Sequence, residues 1–149
     1  MKSEGKKPND LGIEYEVPER LSVGEIKDII ATACEGGINY FSVLWNEGEE
    51  WDAAEQRLIE SGEIDDTLYC DVFWEVLRSG GKVKFTDCEV DNPGPDDTWY
   101  LDLEKFKNGC VMYAKERGSV VKALADGSFD AIEADCLFQY ALFGEIVYG

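Results

Sequence analysis

The chain's 149 residues include four Trp, seven Tyr and seven Phe within 44% hydrophobic content, enough to pack one core and too much for wholesale disorder. Its 32 acidic residues against 14 basic ones, with no histidine, set a formal charge of −18. That charge favours solubility and attraction to basic surfaces, and without a basic patch it argues against direct binding to DNA or RNA.

Residues 1–10, MKSEGKKPND, read as a flexible polar tail, neither a signal peptide nor an anchor. Ile13 to Val17 alternate as a short strand that Pro18 closes. Ser22 and Glu25 have capping-box spacing, and Ile26, Ile29, Ile30 and Ala33 share one face of the helix that follows. Gly36-Gly37 is expected to stop that helix, with glycine in the left-handed cap conformation. Ile38 to Trp45, β-branched and aromatic, predicts a strand. The chain then turns acidic from Glu47 to Asp66, with a short helix over Trp51 to Ile59.

Thr67 to Arg78 predicts a helix with Leu68, Val72, Phe73 and Val76 facing inward, ended by Gly80-Gly81. Within Lys82 to Val90, Val83 and Phe85 alternate with Lys84 and Thr86, as in an outer strand. DNPGPDD at 91–97 is a loop, and Thr98 to Leu101 is the returning strand of a hairpin. Asp102 caps a helix with a Leu103, Phe106, Cys110 and Tyr113 stripe that ends at Gly118. Residues 119–128 carry no decisive period. Asp130 and Glu133 begin a helix that is apolar almost all round (Ile132, Ala134, Cys136, Leu137, Phe138, Ala141, Leu142) and is expected to be central. Gly144 stops it, and Glu145 to Tyr148 reads as a final strand. Without a βαβ rhythm or an internal repeat, the expectation is an α+β fold: a small, mostly antiparallel sheet packed with several helices in a single domain over 11–149. No run approaches the roughly 20 apolar residues of a membrane span.

Cys34, Cys70, Cys88, Cys110 and Cys136 are widely spaced and contain no C-x-x-C pair. They predict reduced, mostly buried thiols in an intracellular protein rather than a disulfide scaffold or zinc site. No local signature supplies a base beside a nucleophilic Cys or Ser. Adjacent acids such as Asp65-Asp66 and Asp96-Asp97 arise by abundance, and the prolines of the 91–97 loop displace calcium-liganding positions. Gly80-Gly81-Lys82 lacks the rest of a P-loop. The reading is a non-enzymatic protein without metal or cofactor. Gln139 stands out, because a buried amide needs hydrogen-bond partners. It either ties down a strand end near Glu35 or Asn39, or forms the polar floor of a small-ligand pocket with Tyr40, Trp45 and Trp99.

The strongest functional feature is the acidic segment 47–71. Glu47, Glu49, Glu50, Asp52, Glu55, Glu60, Glu63, Asp65, Asp66 and Asp71 are opposed there by Arg57 alone. Such a surface imitates the phosphate rows of a duplex and attracts nucleic-acid-binding proteins through salt-sensitive forces. The plainer alternative is a solvated face that prevents aggregation.

Two stretches carry a resemblance. ACEGGINYFSVLW at 33–45 and FDAIEADCLFQYALFGEIVYG at 129–149 resemble a family of small proteins encoded in phages and prophages. The matching positions are Glu35, Gly36, Gly37, Ile38, Asn39 and Tyr40, then Ala134, Asp135, Gln139, Ala141, Leu142, Phe143, Gly144, Glu145, Val147 and Tyr148. Phe41 stands where the family commonly has Trp. The resemblance covers most of the chain from about Leu21 onward but not Glu47 to Asp66. It implies phage origin and a host-cytoplasm setting, and no reaction. The resulting expectation is an anti-CRISPR or anti-restriction inhibitor whose acidic surface occupies a basic host protein. A nucleotide-signal sponge and a structural phage component are the alternatives.

Overall fold

A computed structural model describes residues 12–16, 19–62 and 68–149 of the chain. The expected tail at 1–10 lies outside them. At the front, β1 (Ile13–Glu16) pairs antiparallel with β2 (Glu19–Leu21), placing Ile13 opposite Leu21. Helix α1 (Val23–Thr32) begins at the expected capping box: Ser22 Oγ accepts from the Glu25 amide at 3.1 Å, and Glu25 Oε1 accepts from the Ser22 amide at 2.8 Å. Its Ile26, Ile29 and Ile30 are buried.

The end of α1 corrects the sequence reading. Neither Gly36 nor Gly37 takes the left-handed conformation. The helix instead widens into a π-helical turn over Ala33–Gly37, where the Ile38 amide donates to Ala33 O at 2.8 Å. Gly37 serves close packing, since a Cβ there would lie 3.0 Å from Ala131 O. The following strand is shorter than expected. Ile38 O accepts from the amides of Phe41 and Ser42 and from Ser42 Oγ, which curls residues 38–41 into a turn. Only β3 (Ser42–Trp45) remains extended.

Helix α2 (Glu49–Ser61) packs on α3 (Tyr69–Arg78), with Trp51 edge-on to Phe73 at 6.4 Å. Leu68, expected to face inward, is 64% exposed, while Trp74 and Leu77 join Val72, Phe73 and Val76 in the core. The start of that helix at Thr67 lies outside the described residues. Next come β4 (Val83–Asp87) and β5 (Thr98–Leu101), which with β3 make a three-stranded antiparallel sheet in the order β3-β4-β5. β4 is therefore the middle strand, not an outer one. Its alternation reports one solvated face, which a middle strand of a sheet covered on one side also has. Leu44, Phe85 and Trp99 are paired across the inner face, and Trp45, Lys84 and Tyr100 across the outer one.

Asp102 caps α4 (Leu103–Arg117) by accepting from the Lys105 amide at 2.8 Å, and Phe106, Cys110 and Tyr113 are buried as expected. The undecided 119–128 stretch contains α5 (Val120–Asp126), capped by Ser119. α6 (Ala131–Phe143) runs through the core, with Phe138 edge-on to Phe73, Phe85 and Phe106. Ile132 is exposed, so α6 is not buried all round. Gly109 lets α4 and α6 approach, because a Cβ there would meet Ala141 Cβ at 2.6 Å. Gly144, at φ 77°, ends α6 in the left-handed conformation, where glycine escapes the Cβ penalty. Residues 145–149 form no strand. The architecture is α+β around one hydrophobic cluster.

All five cysteines are free thiols; Cys110 alone is fully buried and Cys88 is exposed, which corrects the expectation of mostly buried thiols. Burial, followed by the neighbouring Cys70 and Glu35, pushes the Cys34 thiol up to about 12. No described helix is long and apolar enough to cross a membrane.

Candidate partner-binding surface

α2 is oriented by Trp51 and Ala54, which are buried, so the residues opposite them point to solvent. Glu49, Asp52, Gln56 and Glu60 fall at three- and four-residue spacing on that outward face, and all four are exposed. Among the described residues Glu47, Glu49 and Asp52 enter no side-chain hydrogen bond or ion pair, whereas Glu60 accepts from Gln56 Nε2 at 3.1 Å. Glu55 is half-buried on the flank of α2.

Other carboxylates of the segment serve the fold. Glu50 Oε1 accepts from the Lys82 amide at 2.9 Å, tying α2 to the entry of β4. Asp71 pairs with Lys27 of α1 at 2.8 Å. Arg57 is directed to Glu75 on α3, donating to Oε2 at 2.9 Å, and its Nη2 donates to Ser79 Oγ at 3.0 Å. Arg78 adds two further bonds to Glu75, at 2.8 and 3.0 Å. Glu75 is only 4% exposed, and burial of an ionised carboxylate requires such partners. Between α2 and the end of α3 lies an open cleft of about 430 Å³, lined by Glu49, Glu50, Arg57, Ser79 and Gly81 among others. Glu63, Asp65 and Asp66 lie outside the described residues.

Five carboxylates against Arg57 leave α2 with four net negative charges over 13 residues. Its length of roughly 20 Å gives about one net charge per 5 Å, near a third of the one per ~1.7 Å of duplex DNA. A second acidic stretch, Asp87, Glu89, Asp91, Asp96 and Asp97, connects β4 to β5. It lies at the other end of the sheet, because Ser42 pairs with Asp87 whereas Trp45, which leads into α2, pairs with Lys84. The sequence signal for it was the density of Asp around the prolines.

The four pocket candidates are divided by the sheet. Tyr40 Oη donates to Asp135 Oδ2 at 2.8 Å and lies 3.4 Å from Gln139 Nε2. Burial, then the bond to Asp135, pushes the Tyr40 phenol up to about 12. Trp99 is edge-on to Phe143 at 5.1 Å and to Tyr148 at 6.2 Å. Trp45 is on the opposite face of the sheet, where its Nε1 donates to Thr86 Oγ1 at 2.8 Å and Lys84 Nζ sits 4.2 Å from its ring centroid.

Gln139 does tie down chain, but its partners are not Glu35 or Asn39. Its Oε1 accepts from the amides of Val147 and Tyr148 at 2.7 and 2.8 Å. Its Nε2 donates to Asp135 Oδ1 at 2.8 Å and to Tyr148 O at 3.1 Å. The amide is filled by the protein itself. Glu35 instead accepts from Tyr69 Oη at 2.6 Å.

On α6, Glu133 receives Arg117 Nε and Nη2 at 2.8 Å each and Tyr113 Oη at 2.5 Å. Among the described residues, no group of three or more His, Cys, Asp or Glu is placed to hold a metal ion. Comparison of the chain with protein families, with curated proteins and with solved structures finds no match.

Proposed function

We propose that this protein is a phage-derived, non-enzymatic inhibitor that presents an acidic, nucleic-acid-mimicking surface to a basic groove of a host defence protein. The setting is the host cytoplasm, and the action is of the anti-CRISPR or anti-restriction type. The observation that carries the reading is the outward face of α2, where Glu49, Asp52 and Glu60 are exposed while the one Arg of the helix is engaged by Glu75. These charges lose little on meeting a partner, because no internal ion pair to them must be broken first and Glu60 gives up only its bond from Gln56. The phage-like motif stretches support the setting.

The low charge density of α2 shapes the proposal. One helix cannot replace a duplex, so the partner's groove engages α2 together with Glu47 and the flank of the cleft. The attraction is salt-dependent in either case.

The test is affinity capture from a bacterial host lysate with the full chain, in low and high salt, beside the triple variant E49Q/D52N/E60Q. The expected result is a nucleic-acid-binding protein that is retained at low salt, released at high salt, displaced by duplex DNA and missed by the triple variant. The variant should unfold near the midpoint of the unmodified chain, because it breaks no contact to a neighbouring element and the repulsion it removes offsets the loss of Glu49 and Asp52 from the first turn of α2. Retention indifferent to salt and to the triple substitution would overturn the mimicry.

A further inference from the structure

Residues 145–149 leave α6 through Gly144 as a strap without regular secondary structure, which brings Tyr148 against Trp99 of the sheet. Among the described residues, no main-chain to main-chain hydrogen bond reaches the strap. Its backbone is held by one side chain. Gln139 offers its carbonyl to the amides of Val147 and Tyr148 and its amide to the carbonyl of Tyr148. Toward Tyr148 this is the donor–acceptor pair a neighbouring β-strand presents, and the bond from the adjacent Val147 amide to the same oxygen marks a bend in the strap.

The one strap side chain packed against the core is Tyr148, which is half-buried. Its ring lies parallel on Phe41, 4.4 Å away with an interplanar angle of 7°, and also meets Phe143 at 5.9 Å and Trp99 at 6.2 Å. These three receiving rings contact one another independently of Tyr148, at 5.1 to 6.1 Å. The groove is therefore built by β5, α6 and the turn before β3, and the strap only occupies it. Ile146 and Val147, by contrast, are 47% and 54% exposed.

We propose that this groove is a peptide-binding site whose ligand is the Ile-Val-Tyr-Gly segment, filled in cis by the strap and open in trans to the same segment of a second copy of the chain. The seated segment shows what fits: an aromatic side chain between the rings and a backbone amide and carbonyl for Gln139. Gly144, already left-handed, is the hinge, because a change of direction there meets no Cβ. Intramolecular occupancy is favoured by the effective concentration of a short tether, so exchange becomes visible when cis docking is weakened. The proposal stands on contacts away from α2 and does not depend on the acidic face.

Two full-length variants test it by complementation. Tyr148→Ala keeps the groove but loses the anchor, and Gln139→Ala keeps the anchor but loses the groove's amide. In sedimentation experiments each variant alone should be monomeric, while their mixture forms a heterodimer joined by the Gln139→Ala strap in the Tyr148→Ala groove. A labelled Gly-Glu-Ile-Val-Tyr-Gly peptide should bind Tyr148→Ala at least about ten-fold more tightly than the unmodified chain, whose own strap competes. The same peptide with Tyr replaced by Ala should not bind. Absence of peptide binding to both natively folded proteins would overturn the site. Peptide binding without a heterodimer would overturn exchange between copies and assign the groove to an aromatic peptide of another protein. Should Tyr148→Ala fail to fold, peptide binding to the unmodified chain at excess peptide decides the matter, and its absence overturns the proposal.

Discussion

Replacing Gln139 by Ala isolates how the end of the chain is held. The substitution removes four hydrogen bonds of 2.7 to 3.1 Å, three to the strap and one to Asp135. At a net ~1 kcal/mol each, they contribute about 4 kcal/mol. Release of the strap also loses the stacking of Tyr148 on Phe41, worth about 1 kcal/mol beyond its buried area. Against this, residues 147 to 149 regain backbone freedom, about 1 kcal/mol or more each. The freed groups of Val147 and Tyr148 return to water, so no buried unsatisfied penalty is added, and Asp135 keeps Tyr40. The expected loss is at least about 2 kcal/mol, because the apolar area that Tyr148 gives up on release adds to this sum. Urea unfolding followed by tryptophan fluorescence measures it, and amide exchange at Val147 and Tyr148 reports the strap directly. A loss below about 0.5 kcal/mol, with both amides still protected, would mean that something other than Gln139 holds the strap and would refute the reasoning.

Two further perturbations probe the core and the charged surface. Gly109→Ala should destabilise by about 1–2 kcal/mol in urea unfolding, because forcing α4 from α6 outweighs the ~1 kcal/mol gained in helix propensity. Gly36→Ala, whose Cβ would meet only Ala131 Cβ at 3.9 Å, should be neutral or stabilising in the same assay. For pH, the Arg117 hydrogen bonds, with help from Tyr113, hold the Glu133 carboxyl down to about 2. A depressed carboxylate stabilises the fold above its unfolded pKa, so this contribution is complete above about pH 4.5 and is lost as pH falls toward 2. The full shift corresponds to ~3 kcal/mol, which solvent screening of the partly exposed Arg117 reduces to about 1 kcal/mol. Arg117→Ala should remove that slope from the stability–pH curve between pH 5 and 2, and an unaltered slope would deny the pair its role.

Helices were legible wherever a short-range signal decided them. Ser22 with Glu25, Asp102 and Asp130 each mark a helix start by accepting from a backbone amide three residues on, a distance within one turn. The misread features depend on hydrogen bonds and contacts that composition does not announce, some local and some from distant chain. Residues 38–41 have β-branched and aromatic character, yet three bonds to Ile38 O curl them, and propensity cannot foresee that competition. Gly37 looked like a cap because glycine usually is one after a helix, but α6 at Ala131 is what demands the missing Cβ. Residues 145–148 have strand composition, but their hydrogen-bonding partner is a side chain, which leaves no periodic trace.

The candidate surface shows the same division between amount and assignment. Net charge is readable from composition, whereas the use of each carboxylate is not. Glu50 and Asp71 look like members of one acidic run, yet one anchors the Lys82 amide and the other binds Lys27 of α1. Arg57 looks like the counter-charge of that run, yet it is committed to the buried Glu75. A trace of this was available, since Glu75 and Arg78 are three apart on a helix and make an ion pair at 2.8 Å. Removing Arg57 from the balance of α2 makes the outward face more negative than composition implies. Removing Glu50 and Asp71 makes the free surface smaller. The charge that the proposed partner would meet at α2 is therefore a small set, Glu47, Glu49, Asp52 and Glu60, and substituting three of them separates a specific surface from bulk acidity.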